Sequence, residues 1–341
     1  MMQKLMRKRW LLALLAAFAI LLIGIHASAD GLAFSVQPVL PTQQVNKKVT
    51  YFDLKLAPKQ QTTLSVNVHN NKSTPLHLKA GLAQATTNLN GVVEYSANKE
   101  QLDKHVPAKF AQAVALPDKP ITIAPNADDQ VQIQVTMPKR AFKGQLAGGL
   151  TLSDADFGKQ AATGKKQAVA INNRYQFVVA IVLRNNQRTV TPKLSLDSAK
   201  MGQINARNVV SGAIHNETAT FVNQLKVTGQ VQKAGSTDVL YTTKQVNYQL
   251  APNAIMQFPV WLKERPLVAG KYKLRVTASA QKQHWQFSRN FTVTAAKAKH
   301  LNGSSVEVKP DNTWRNAAIG AGSGATVLAG VLAWAVIRRR H

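Results

Sequence analysis

The sequence predicts an all-β protein: two immunoglobulin-like β-sandwich domains in tandem, plus an N-terminal signal peptide and one C-terminal transmembrane helix. Three observations predict it. Short runs alternate apolar and polar residues with period two, as half-buried antiparallel strands do. Pro and Gly punctuate the chain at strand spacing, from Pro58 and Pro75 to Pro259 and Gly270. No stretch between residues 30 and 300 sustains a long helical apolar period. The length of 341 residues suits about two domains, and a 45% hydrophobic composition supplies their cores and excludes global disorder. With no Cys, a disulfide scaffold, a thiolate metal site and a Cys nucleophile are excluded.

Residues 1–29 have the form of a secretory signal. Lys4, Arg7, Lys8 and Arg9 precede an apolar run from Leu11 to Ile25, and Ala27-Ser28-Ala29 offers small residues for cleavage before Asp30. At the other end, Ala317 to Ile337 is uncharged and long enough to cross a bilayer as a helix. Arg338, Arg339 and Arg340 follow it and would hold a tail of residues 338–341 in the cytoplasm. The expected location is a single-pass cell membrane protein with its ectodomain outside. A chain so placed has no nucleic-acid partner, despite its basic composition.

Between these ends, Thr63 to Val68, Val131 to Met137 and Lys271 to Thr277 alternate cleanly. Asn90-Gly91 lies between extended runs and signals a type I′ hairpin. Residues 30–156 form the expected first sandwich and 157–173 a polar linker. A strongly apolar strand from Tyr175 to Arg184 then opens the expected second sandwich, 174–297. Residues 298–316 are polar, include Gly303-Ser304-Ser305 and Pro310, and are expected to form a stalk.

Charge separates the halves. Residues 30–156 hold 13 Lys and Arg against 10 acids, net +3, whereas residues 174–297 hold 17 against 4, net +13. Anionic wall polymers, lipid headgroups and acidic proteins are the counterparts such a surface attracts outside a membrane.

The chain resembles the WxL-interacting proteins of Gram-positive bacteria. The resemblance rests on Phe34 to Pro41, Tyr51 to Leu54, Pro58-Lys59-Gln60, Leu64 to Val68, Thr87 to Gly91 with Tyr95, Gly148-Gly149-Leu150, Val179 to Asn185, Pro192-Lys193-Leu194, Phe258-Pro259-Val260 and Ala269 to Tyr272. Lys59 and Ala269 depart from it, since Gly and Pro are expected at those turn positions. The resemblance implies that the first domain binds peptidoglycan and that the second contacts host proteins or partner proteins. Secreted WxL-domain surface proteins would be those partners, and the chain would be their membrane-anchored dock.

Enzymatic chemistry finds no foothold in the motifs. His69, His77, His105, His215, His284 and His300 show no HExxH spacing. Asp128-Asp129 and Asp154-Ala155-Asp156 lack the surrounding pattern of a calcium loop or a glycosidase pair, and turn chemistry accounts for them. No cofactor, metal or catalytic residue is expected.

Candidate binding residues are few. The first domain has no Trp, so a glycan platform falls to Tyr95, with Asn88 and Asn90 supplying amide hydrogen bonds. In the second domain, alternation sets Trp261 opposite Phe258, Val260 and Leu262, which marks Trp261 as a contact residue, whereas Trp285 shares a face with Phe287 and suits the core. Pro259 suits an edge strand. Lys271 and Lys273, outward on their strand, would steer an acidic partner. An alternative function is a free-standing adhesin or anionic wall-polymer binder acting through the basic second domain. A weaker one is a strand-donating chaperone of surface fibres, which a permanent anchor disfavours.

Overall fold

The structure is a computed structural model that describes residues 32–99, 101–158 and 175–308. The expected signal peptide, the linker from residue 159 onward, the helix at 317–337 and the basic tail lie outside the described residues. Among the described residues no helix is long and apolar enough to cross a membrane.

The chain is all-β, and the first unit is built from two facing sheets. One comprises β1 (Phe34–Val39), β3 (Gln61–Asn70), β9 (Asp128–Thr136) and β7 (Val114–Ala115), in the order β1-β3-β9-β7. The other comprises β2 (Phe52–Lys55), β11 (Gln176–Arg184), β10 (Leu146–Asp154), β4 (Leu76–Gln84) and β8 (Ile121–Ile123), in the order β2-β11-β10-β4-β8. Leu64, Val66 and Val68 of β3 and Val131, Ile133 and Val135 of β9 point inward, as their alternation predicts. They meet Leu150, Leu152, Ile181 and Leu183 from the opposite sheet in one core.

One expected boundary is corrected. The apolar strand β11, placed by sequence at the start of the second sandwich, completes a sheet of the first. It pairs antiparallel with β10 from Leu146↔Leu183 to Ser153↔Gln176. Its other edge pairs in parallel with β2 through Ile181↔Phe52 to Arg184↔Lys55. The reason is burial: β10 is buried at every position from Leu146 to Ser153, so it needs a strand along both edges and cover on both faces. Gly148 and Gly149 let that cover approach. A Cβ on Gly148 would stand 2.5 Å from the Phe110 ring of the short helix α1 (Phe110–Ala113), and one on Gly149 would stand 2.3 Å from the Tyr95 carbonyl oxygen.

The second unit also has two sheets. One is β12 (Leu194–Ile204), β13 (Arg207–Asn216) and β16 (Ile255–Trp261), in that order. The other runs β15 (Val239–Leu250), β14 (Val222–Lys233), β17 (Gly270–Ala280) and β18 (Gln283–Val293). Phe258, Val260, Val227, Val231, Tyr272, Leu274 and Val276 fill the space between them. Trp285 and Phe287 pack against this core, as their shared face predicts, and β16 with its Pro259 is an edge strand.

The expected stalk is not extended where it begins. Helix α2 (Ala295–Gly303) starts at Thr294, whose hydroxyl accepts from the Lys297 N–H at 3.2 Å as a side-chain cap. It docks on the second unit. Ala298 is buried, Gln203 Nε2 donates to the Leu301 carbonyl at 2.7 Å, and Asn208 Nδ2 donates to Asn302 Oδ1 at 2.8 Å. Polar composition suggested solvation, but these polar side chains instead satisfy one another. The turn departure at Lys59 also becomes legible: its φ is 63°, the left-handed region where Gly costs least.

Candidate functional site

The segment expected to meet glycan is a loop between two short strands, β5 (Thr86–Thr87) and β6 (Val93–Glu94). It is not the two-residue type I′ turn that Asn90-Gly91 suggests. Five residues connect the strands, and of the central pair only Gly91 takes a positive φ, 67°. Asn88 organises the loop. Its Oδ1 accepts from the N–H groups of Asn90 at 2.9 Å and Val92 at 3.1 Å, and its Nδ2 donates to Glu94 Oε1 at 2.8 Å. Asn90 is exposed at the tip. Tyr95 is half-buried, and burial foremost, with Tyr51 nearby, pushes its phenol up to about 12. The three residues are thus neighbours, but Asn88 is committed to the turn and Tyr95 packs beside a small apolar cluster rather than standing as an open platform.

That cluster joins the two units. Ala85, Ala147 and Val182 of the first meet Ala251 and Ala254 of the second. The loop reaches across with them. Gly91 sits against the Tyr248 ring, where an added Cβ would lie 2.0 Å from Cγ. The Gly91 carbonyl accepts from Gln249 N–H at 2.7 Å, and Thr87 Oγ1 accepts from Ala251 N–H at 2.9 Å. A second strap forms around residue 102. Asp103 N–H donates to the Asn253 carbonyl at 2.7 Å, Ile255 N–H donates to the Gln101 carbonyl at 3.2 Å, and Leu102 bridges Ala254. A third contact runs from Gln145 N–H to the Ala219 carbonyl at 2.6 Å.

At the centre of the second strap, buried Asp103 brings together two histidines that the sequence leaves unconnected. Oδ1 accepts from the His105 backbone N–H at 2.9 Å and faces His105 Nδ1 at 2.5 Å. Oδ2 faces His215 Nδ1 at 2.7 Å. Burial works against the charged carboxylate. The hydrogen bonds from the His105 backbone, His215 and the His105 ring outweigh it and hold the carboxyl below its usual range. Sequence reasoning missed this group because 112 residues separate Asp103 from His215, and no local spacing marks it.

The other acids and histidines pair off separately. His69 faces Asp128 at 3.0 Å, His77 faces Asp156 at 2.5 Å, and Lys72 donates to Asp154 at 3.0 Å. Among the described residues no group of three or more His, Cys, Asp or Glu side chains is arranged to hold a metal ion.

The partner-binding candidates divide between two surfaces. Trp261 is half-exposed at the end of β16, opposite Val209 on β13, and its backbone N–H donates to Thr243 Oγ1 at 3.1 Å. Lys271 and Lys273 stand on the outer face of β17, in the opposing sheet. Alternation turns Trp261 outward from one sheet and the lysines outward from the other, so the expected holding residue and the expected steering residues lie on different faces of the second unit.

Comparison with known proteins also divides the chain in two. A family model described as WxL Interacting Protein, peptidoglycan binding domain, matches residues 34–154. One described as WxL Interacting Protein, host binding domain, matches residues 166–303. The second match includes β11, which lies in the sheet of the first unit. No curated protein matches the chain. Similar solved structures include the class 5 fimbriae chaperone CfaA, at 10% identity over 75% of this chain and 98% of that one, with a TM-score of 0.31. The Pseudomonas aeruginosa CupB2 chaperone matches at 11% identity over 70% and 96%, with a TM-score of 0.27. The E. coli chaperone DraB matches at 8% over 76% and 98%, with a TM-score of 0.26. At these values the likeness carries no argument about function.

Proposed function

The chain belongs to the WxL-interacting protein family, and on that premise we propose that it is a non-enzymatic surface protein that attaches to peptidoglycan through its first unit and docks WxL-domain proteins or host extracellular proteins through its second. On this reading the apolar segment 317–337 supplies a membrane anchor and the two units stand in the wall. The observation that carries the reading is the succession of a peptidoglycan-binding and a host-binding family domain over adjoining sandwiches. Both matched families are binding domains.

The joint supports this assignment, because several hydrogen bonds and an apolar cluster tie the units together. A partner held by one is then presented at a fixed orientation to a wall held by the other. Within the glycan set, Asn90 is the residue exposed for contact, while Asn88 and Tyr95 shape the loop and its seat. In the second unit, Trp261 is the holding residue for a protein partner, since a central aromatic is worth ~2 kcal/mol or more at an interface.

The test immobilises the full chain and offers it soluble peptidoglycan fragments and a purified WxL-domain protein, separately and together. Both are expected to bind, and neither should displace the other. Trp261→Ala should speed dissociation of the protein partner and leave peptidoglycan binding unchanged. A chain that retains neither ligand would overturn the assignment, and an unaltered dissociation rate in the folded variant would move the interface to another surface.

A further inference from the structure

Beyond that reading, and independent of it, the outer face of the sheet β15-β14-β17-β18 has the chemistry of a polymer track. The four strands contain no Asp or Glu. Their inward residues, among them Val227, Val231, Leu274 and Val276, are buried in the core. The strand register therefore sorts the outward residues into rows across the sheet. Lys226, Ser279 and His284 form the first row. Lys244, Thr228, Thr277 and Gln286 form the second. Thr242, Gln230, Arg275 and Ser288 form the third. Lys273 and Asn290 form the fourth, where Gln232 is buried with its amide donating to the Thr237 carbonyl and Val239 takes the β15 place, and Lys271 with Thr292 forms the fifth.

Each row holds one Lys or Arg, and hydroxyl, amide or imidazole side chains take the other places except that of Val239. Successive rows are two residues apart, which sets them about 6.8 Å from one another along the strands. None of the five cations, Lys226, Lys244, Lys271, Lys273 and Arg275, has an ion-pair partner among the described residues. A shallow concavity of about 650 Å³ opens at the first two rows; Lys226, Thr228, Thr277, His284 and Gln286 line it from the rows, and Ala278 with the core-packed, half-exposed Trp285 forms its floor.

We infer that this face binds a linear phosphodiester polymer of a polyol, laid along the strands so that successive phosphates meet successive rows. Charge complementarity supplies the attraction, and the polar residues in each row supply partners for polyol hydroxyls. The same features disfavour other anions. Membrane-surface binding draws on apolar side chains that enter the bilayer, and in these strands large exposed hydrophobics are confined to Val239 and Val246, both on edge strand β15. A protein interface gains most from central aromatic anchors, and no outward position in the five rows is aromatic.

The test titrates the purified full chain with short synthetic poly(glycerol phosphate). Poly-glutamate of matched charge and vesicles of phosphatidylglycerol in phosphatidylcholine form the comparison arms. The polymer is expected to bind more tightly than either, with an affinity that falls steeply as salt rises. Lys273→Gln with Arg275→Gln should weaken it by about tenfold or more and flatten the salt dependence, because fewer counterions are exchanged. Lys200→Gln, in the opposing sheet, should change neither. Circular dichroism establishes that the variants are folded, which their outward positions favour. Equal binding by the double variant overturns the inference. So does binding of poly-glutamate or vesicles at least as tight as the polymer, in favour of an acidic protein or a lipid surface. Peptidoglycan attachment does not enter this readout, so its failure and that of the track are separable.

Discussion

Removing β11 from the first unit should unfold it. A fragment of residues 32–158 spans the whole peptidoglycan-binding match, yet it lacks the strand that flanks β10. Val179, Ile181 and Leu183 of β11 are 6%, 0% and 0% exposed. At about 1.5–3 kcal/mol for each fully buried side chain, their loss removes about 5–9 kcal/mol. A whole domain has about 5–15 kcal/mol of net stability, so the loss alone is of the order of the total. The backbone loss adds to it, since β10 gives up its ladder from Leu146 to Ser153 and β2 its parallel partner. Residues 32–158 and 32–190 would be compared by amide NMR dispersion and urea unfolding. The shorter fragment is expected to show collapsed dispersion and no cooperative transition, and the longer one to fold. A dispersed spectrum and an equal urea midpoint for 32–158 would refute the claim that β11 is integral to the first unit.

Two further predictions concern single residues. Asp103 has a depressed folded-state pKa, so the stability it contributes is present above the unfolded carboxyl value of about 3.9 and is lost as pH falls through the folded one. Asp103→Asn should therefore lower the urea midpoint near neutrality, and the gap from the native chain should close in acid; a gap that is constant with pH would contradict the carboxylate's role. Lys59→Gly should raise stability by up to about 1 kcal/mol, because the left-handed conformation costs an L-residue ~1–2 kcal/mol while the added chain entropy of Gly returns part of it. An unchanged or lowered thermal midpoint would show that Lys59 is not strained.

The strands that face solvent on one side were legible in the sequence. β3, β9 and β17 alternate, and their buried positions are the ones that alternation selects. The partner of β11 was not legible. A strand buried on both sides shows an apolar run without phase, and nothing local in Gln176 to Arg184 says which sheet it joins. The polar segment before it argued for the wrong neighbour. Asn90-Gly91 misled for a related reason: the dipeptide fixes a short turn only when its flanks pair at once, and here Asn88 closes a wider loop seated on Tyr248. His105 joins Asp103 within one loop, but His215 reaches the pair only through the meeting of the units. The outward cations of β17 were visible as Lys271, Lys273 and Arg275, but the rows they complete with β14, β15 and β18 required the register.

The position of β11 also bears on how the molecule carries load. The chain passes from Arg184 to the second unit through residues 185–193, so a pull on that unit reaches the first through the end of β11. An edge strand pulled along its axis would load a single ladder. β11 lies between β10 and β2, and tension along its axis strains both ladders in shear together. Forced separation is governed by the rate of that concerted rupture rather than by equilibrium stability. Force entering from the second unit thus loads a strand that two ladders hold.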